Sequence, residues 1–139
     1  SFNKATGTLI IRGEGGMEEI IPGYRTAIPW AEHAKNIKHI ILVDGVTSIG
    51  NNAFSGCSSL AEVEIPNSVS HIGKYAFSSC SSLTEISIPD SVTHIGDFAF
   101  HGCFELTDIF FSGSKTQWAQ LDLWWTEIND AYVHYNYTG

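Results

Sequence analysis

Cations are scarce in this chain. Lys and Arg together number 7 against 15 Asp and Glu, for a formal charge of −8. Between Val46 and Ser114 the sole Lys or Arg is Lys74, facing Glu62, Glu64, Glu85, Asp90, Asp97, Glu105 and Asp108. Such a surface repels nucleic acid and anionic lipid, which are bound by basic side chains that neutralise phosphates. Basic or cation-bridged partners stay open. Long apolar runs are also missing: none approaches the ~18 residues of a spanning helix, and no basic segment leads into an apolar one. Direct membrane insertion is therefore not expected. The cysteines number 3, an odd count without C-x-x-C spacing, which makes neither a disulfide framework nor a zinc site. What the 139 residues do hold is 43% hydrophobic side chains, with Trp 4, Tyr 5 and Phe 8, enough for one ordered domain over 1–139 and too little for two.

One 23-residue phrase is written three times in succession: VTSIGNNAFSGCSSLAEVEIPNS from Val46, VSHIGKYAFSSCSSLTEISIPDS from Val69, and VTHIGDFAFHGCFELTDIFFSGS from Val92. A period in that range marks a solenoid, whose coils bury a hydrophobic face only by stacking on their neighbours. In each coil Val46, Ile49, Ala53, Phe54, Cys57, Leu60, Val63 and Ile65 have apolar counterparts 23 and 46 residues later. Val63 and Ile65 alternate with Glu62 and Glu64, the period of a short strand with one buried face. Pro66 or Pro89 ends that strand, and Asn67-Ser68 or Asp90-Ser91 supplies turn chemistry. Val69 and Ile72 mark a second extended piece closed by Gly73, as Gly50 and Gly96 close its counterparts. Gly there fits a sharp corner or a φ that other residues resist. Ala53, Phe54 and Cys57 stand at i, i+1 and i+4, which predicts one or two turns of helix on the opposite wall.

The repeat continues in degraded form on both sides. Ala31, Ala34, Ile37, Ile40 and Leu42 take the places of Phe54, Cys57, Leu60, Val63 and Ile65, so 30–45 reads as a partial first coil. Residues 1–29 read as an N-terminal cap, with a strand over Gly7–Arg12 and a turn in the GEGG run. After the three regular coils of 46–114, Trp118 falls on the column of Ile95, and 115–139 reads as a C-terminal cap with a last strand over Ala131–Tyr135. Terminal units of solenoids depart from consensus because one face must be closed off from water.

The words SIGNNAFSGCSSL, IPNSV and IPDSVTHIGDFAF resemble the BspA-like branch of the leucine-rich repeat family, found in surface and secreted proteins of oral and gut anaerobes and some protozoa. The segments GTLIIRGEGGM with a later PW, and GSKTQWAQL with AYVHYN, are similar to the family's entry and exit. The resemblance implies an α/β fold: a right-handed solenoid of 23-residue coils with a short parallel sheet on one wall and a cap at each end. It further implies a secreted or cell-surface protein of bacterial type, used in adhesion or in recognising a host or neighbouring-cell protein or glycan. The alternative is a structural spacer or assembly unit of a larger repeat protein. The family carries no common catalytic residues, and no nucleophile and base or paired acid stands at usable spacing here, so a non-catalytic role without a cofactor is expected.

Stacked strands lie ~4.8 Å apart, so outward positions form columns. One column is His39, Glu62, Glu85, Asp108; the next is Ile41, Glu64, Ser87, Phe110. Aligned carboxylates at that spacing repel by ~1 kcal/mol per pair even in a water-like dielectric. The bland reading is a solvated acidic face; the functional one is a docking ridge made of His39, Glu62, Glu64, Glu85, Asp108 and Phe110 for a basic partner. A weak Ca²⁺ site drawing on Glu62, Glu64, Glu85 and Asp108 is a third, though a flat strand face supplies few of the six to eight oxygens calcium takes. Cys57, Cys80 and Cys103 occupy one place in successive coils and read as buried small hydrophobes. His71 and His94 share a column with Ser48 and Gln117, two imidazoles without an evident third metal ligand. Trp124 and Trp125, adjacent in an extended segment, would point to opposite faces, which makes one a candidate aromatic contact; packing within the cap is the default.

Overall fold

The structure is a computed structural model describing residues 1–121, 123, 128, 129 and 132–138. The apolar-polar alternation of the repeat builds a first wall of strands. Here β1 (Phe2–Asn3), β2 (Thr8–Ile11), β4 (His39–Leu42) and β6 (Glu62–Glu64) form one sheet in the order β1-β2-β4-β6. β8 (Glu85–Ile88), β10 (Asp108–Phe111) and β11 (Val133–His134) form another, in the order β11-β10-β8. All pairings are parallel except β1 on β2, which is antiparallel. His39 stands opposite Glu62 and Glu85 opposite Asp108, the step of the sequence period. Each strand turns Ile40, Val63, Ile86 or Ile109 into the core.

Sheet structure is not confined to one wall. The second extended piece of each coil is also a strand: β3 (Gly15–Gly16), β5 (Val46–Ile49), β7 (His71–Ile72) and β9 (His94–Ile95) pair in parallel in that order. Residues 7–16 add a strand to each wall, since β2 pairs with β4 and β3 with β5.

The expected helix after the second strand does not form in any of the three coils. Asn52, Tyr75 and Phe98 adopt φ of 60, 57 and 58°, and the next equivalent column, Gly56, Ser79 and Gly102, is left-handed too. Two left-handed residues four apart stop any run of helical dihedrals. The amides turn toward the next coil instead: Asn52, Phe54 and Gly56 donate to the carbonyls of Lys74, Ala76 and Ser78, and Tyr75, Phe77 and Ser79 repeat this on Asp97, Ala99 and His101. Among the described residues helix is found outside the three regular coils, in α1 (Met17–Ile20), a 3₁₀ turn (Ala31–Asn36) within the partial first coil, and α2 (Lys115–Ala119), where Ser114 and Gln117 close a capping box.

The core is organised in columns. Rings of Trp30, Phe54, Phe77 and Phe100 follow one another at centroid distances of 5.8, 5.5 and 5.4 Å. Trp30, rather than the exposed Ala31, therefore begins the phenylalanine column, and its Nε1 donates to the Ala53 carbonyl at 2.6 Å. The larger ring reaches the column from one position earlier. Gly73 and Gly96 keep negative φ, and the reason for glycine is proximity: a Cβ would lie 2.6 Å from the Asn51 nitrogen and 2.5 Å from the Lys74 nitrogen. Consecutive coils touch there backbone to backbone.

Candidate functional site

Strand alternation projects Glu62, Glu64 and Glu85 from the first wall, all of them exposed. His39 sits at the head of this ridge and reaches diagonally across the ladder: its Nε2 lies 2.6 Å from Glu64 Oε2 and 3.9 Å from Glu62 Oε2. The donor atoms of His39, Glu62 and Glu64 all lie within 4.8 Å of one another. This differs from the four-carboxylate calcium set, because Glu85 and Asp108 belong to the other sheet and the third donor is an imidazole nitrogen. Calcium takes oxygen ligands, so the grouping is not a calcium cage.

The ridge is not one unbroken ladder. β6 and β8 run side by side, yet they belong to separate sheets. A hollow of about 720 Å³ opens at this seam, with Ala61, Ile65 and Pro66 as its accessible apolar side chains and Glu62, Glu64 and Glu85 as its carboxylates. It combines apolar surface with a rim of negative charge.

Asp108 and Phe110, at the far end, are held by β11, which falls within the last strand expected over Ala131–Tyr135 although His134 is not singled out by its sequence. His134 on β11 places Nε2 2.9 Å from Asp108 Oδ1, and its ring stacks on Phe110 at 4.8 Å. Tyr137 covers Phe110 further, at 4.6 Å. The His134 hydrogen bond, helped by that of the Thr107 hydroxyl, holds the Asp108 carboxyl below the usual carboxylate range. A signal for His134 existed: Val133 and Tyr135 alternate with it, but the step from Phe110 to its partner His134 is one residue longer than the repeat. The candidate contact residues Trp124 and Trp125 lie outside the described residues.

The cysteines are free thiols, with Cys57 and Cys80 buried and Cys103 half-buried. Burial pushes the Cys57 thiol up to about 12. The adjacent Cys103 thiol, and burial, raise Cys80. Cys80 donates to the Phe54 carbonyl and Cys103 to that of Phe77, at 3.3 and 3.1 Å, so both stitch adjacent coils.

On the second wall the His71 and His94 rings stack at 4.5 Å with an interplanar angle of 2°. Parallel imidazoles aim their lone pairs alongside one another instead of converging on one ion, which argues against a shared metal. Each Nδ1 meets the hydroxyl of the preceding residue, Ser70 at 2.7 Å and Thr93 at 3.1 Å.

The model of the BspA type Leucine rich repeat region matches residues 32–132 in 6 copies. A search of curated proteins found no match. Among solved structures, a leucine rich cell surface protein from Faecalibacterium prausnitzii is 40% identical, with a TM-score of 0.54 over 57% of this chain and 21% of that one. A leucine rich repeat protein from T. pallidum is 36% identical, with a TM-score of 0.53 over 55% of this chain and 36% of its own. One from Bacteroides ovatus is 28% identical, with a TM-score of 0.56 over 73% of this chain and 30% of its own. The matched region is thus about a third or less of each relative.

Proposed function

The chain belongs to the BspA-type leucine-rich repeat family, and on that premise we propose that it is a non-catalytic binding module of a bacterial cell surface, recognising a protein through a basic segment laid on the first wall. This reading includes right-handed winding of 23-residue coils and a cap at each end. The observation that carries it is the seam between β6 and β8. A lysine or arginine of the partner lays its aliphatic stem on Ala61, Ile65 and Pro66 and its charged head among Glu62, Glu64 and Glu85. A glycan without cationic groups can hydrogen-bond that rim but leaves the repulsion among its carboxylates uncompensated, which favours protein over sugar on this face. Like charges that repel in the free protein are relieved by such a partner, so association should be steered and salt-sensitive.

The test is capture from an immobilised panel of matrix glycoproteins and mucins, with a Lys-Arg repeat peptide as the minimal probe, run with and without calcium. Binding by the wild-type chain should fall as salt rises. The variant E62A/E85A/D108A should lose about tenfold or more in affinity, ~1.4 kcal/mol, while its melting temperature falls only by the loss of the Asp108–His134 tie. Unchanged capture by the triple variant removes this face as the site. A second reading, a spacer within a longer repeat array, is supported by the greater length of the relatives. It predicts no saturable binding to any panel member.

A further inference from the structure

The second wall carries a different kind of surface. Strands β5, β7 and β9 place Ser48, His71 and His94 in one line, each directly paired with the next. Beside this line runs a strip without side chains, Gly50, Gly73 and Gly96, and beyond it Asn51, Lys74 and Asp97. Together they form an open trough of about 720 Å³, bounded at one end by Glu18, Glu19 and Arg25, within the size range of ligand sites. Gly73 and Gly96 are required by the close approach of the preceding coil's backbone, and Gly50 by the Tyr24 ring packed against it.

The chemistry of the trough is specific in three ways. It is nearly balanced in charge, with Arg25 paired to Glu18 at 3.3 Å and Lys74 and Asp97 in neighbouring coils, whereas the seam of the first wall carries three carboxylates and no cation. Its floor presents hydrogen-bonding groups that recur once per coil, ~4.8 Å apart by strand spacing. Each His Nδ1 is occupied by a hydroxyl, and no bond from a described residue takes either Nε2. Which ring nitrogen holds the proton depends on which way the Ser70 and Thr93 hydroxyls point. A ligand hydroxyl, both donor and acceptor, fits either tautomer; a charged group fits only one.

We propose that this trough is a second binding site, for a neutral, extended, β-(1→4)-linked oligosaccharide lying along the stacking axis with one sugar unit per coil. The coil step is close to the length of one pyranose in such a chain, so successive sugars meet successive members of the Ser48, His71, His94 line. Curled α-linked chains lose that register after one contact. The proposal stands independently of the first wall.

The test is an NMR titration of the ¹⁵N-labelled full chain with cellohexaose and chitohexaose, with maltohexaose as the comparator. Saturable shifts of the His71 and His94 imidazole signals and the Lys74 amide are expected with at least one β-linked chain, and weaker or absent ones with maltohexaose. The variant H71A/H94A should bind about tenfold more weakly, and E62A/E85A/D108A should bind as the wild type does. The wild-type shifts are read without any substitution, so misfolding of a variant cannot imitate failure. The proposal is overturned by absence of shifts with both β-linked sugars at millimolar concentration, by equal binding of maltohexaose, or by shifts at His71 and His94 that only a peptide from the capture panel produces.

Discussion

At the scale of single residues, glycine does two unrelated jobs in this repeat, and they separate by substitution. Gly56 has φ of 78° and open space where a Cβ would go, and its counterpart Ser79 adopts φ of 61° with a side chain present. Gly96 has an ordinary φ, but its Cβ would stand 2.5 Å from the Lys74 backbone nitrogen and 2.7 Å from the Gly73 carbonyl carbon. Backbone cannot swing aside as a side chain can. Gly96→Ala should therefore cost about 2 kcal/mol or more by forcing two coils apart, and Gly56→Ala about 1 kcal/mol for the left-handed φ alone. Urea denaturation of the two variants checks the order. Equal losses would mean that the coils are not in the close contact described. Sequence alone could place these glycines by period but could not tell proximity from dihedral strain, because both demand the same letter.

At the scale of elements, the strands were legible and the turns were not. Val63 with Glu62 and Glu64 declares a strand by alternation, and the cysteine positions declare burial by the company of Ala and Phe. The span 51–57 reads as helix because Ala53, Phe54 and Cys57 do face the core, but Tyr75 and Phe98 at left-handed φ are residues no propensity argument would put there. Tertiary contact decides: the amides are bonded to the neighbouring coil, and Tyr75 stacks on Phe98 at 5.3 Å. The ridge was half legible for a similar reason, since His39 is in register by period while His134 comes from a strand one residue out of step. The His134 contact also makes a pH prediction. Asp108 has a depressed folded pKa, so its tie between β10 and β11 contributes at neutral pH, in full above the ordinary carboxylate value near 3.8, and is lost as pH falls through the lower folded value. The difference in melting temperature between wild type and Asp108→Asn should thus be present at pH 5 and close toward zero in stronger acid. A difference that persists undiminished below the carboxylate range would contradict that tie.

At the scale of the whole molecule, the two walls and the ring column are products of one stacking step, and that step is portable. The coil 69–91 meets its neighbours through positions that 46–68 and 92–114 also carry: Val69, Ile72, Phe77, Cys80, Leu83 and Ile86 match Val46, Ile49, Phe54, Cys57, Leu60 and Val63. Solenoid stability is close to a sum of coil and interface terms. Deleting 69–91 and joining Ser68 to Val92 should therefore leave a folded protein, in which the Phe54 ring stacks on Phe100 and β5 pairs with β9. It should unfold in one cooperative transition at a lower temperature, with circular dichroism per residue preserved. A broad transition, or dye binding typical of exposed apolar surface, would mean that the coils are not interchangeable and that the seam between β6 and β8 belongs to one particular junction. The deletion also shortens both sites, since it removes Glu85 from the ridge and His71 from the trough. The sugar register shrinks from three coils to two, so oligosaccharide affinity should fall even though Ser48 and His94 remain, and a shortened chain that binds the β-linked hexasaccharide as tightly as the parent would refute one-sugar-per-coil recognition.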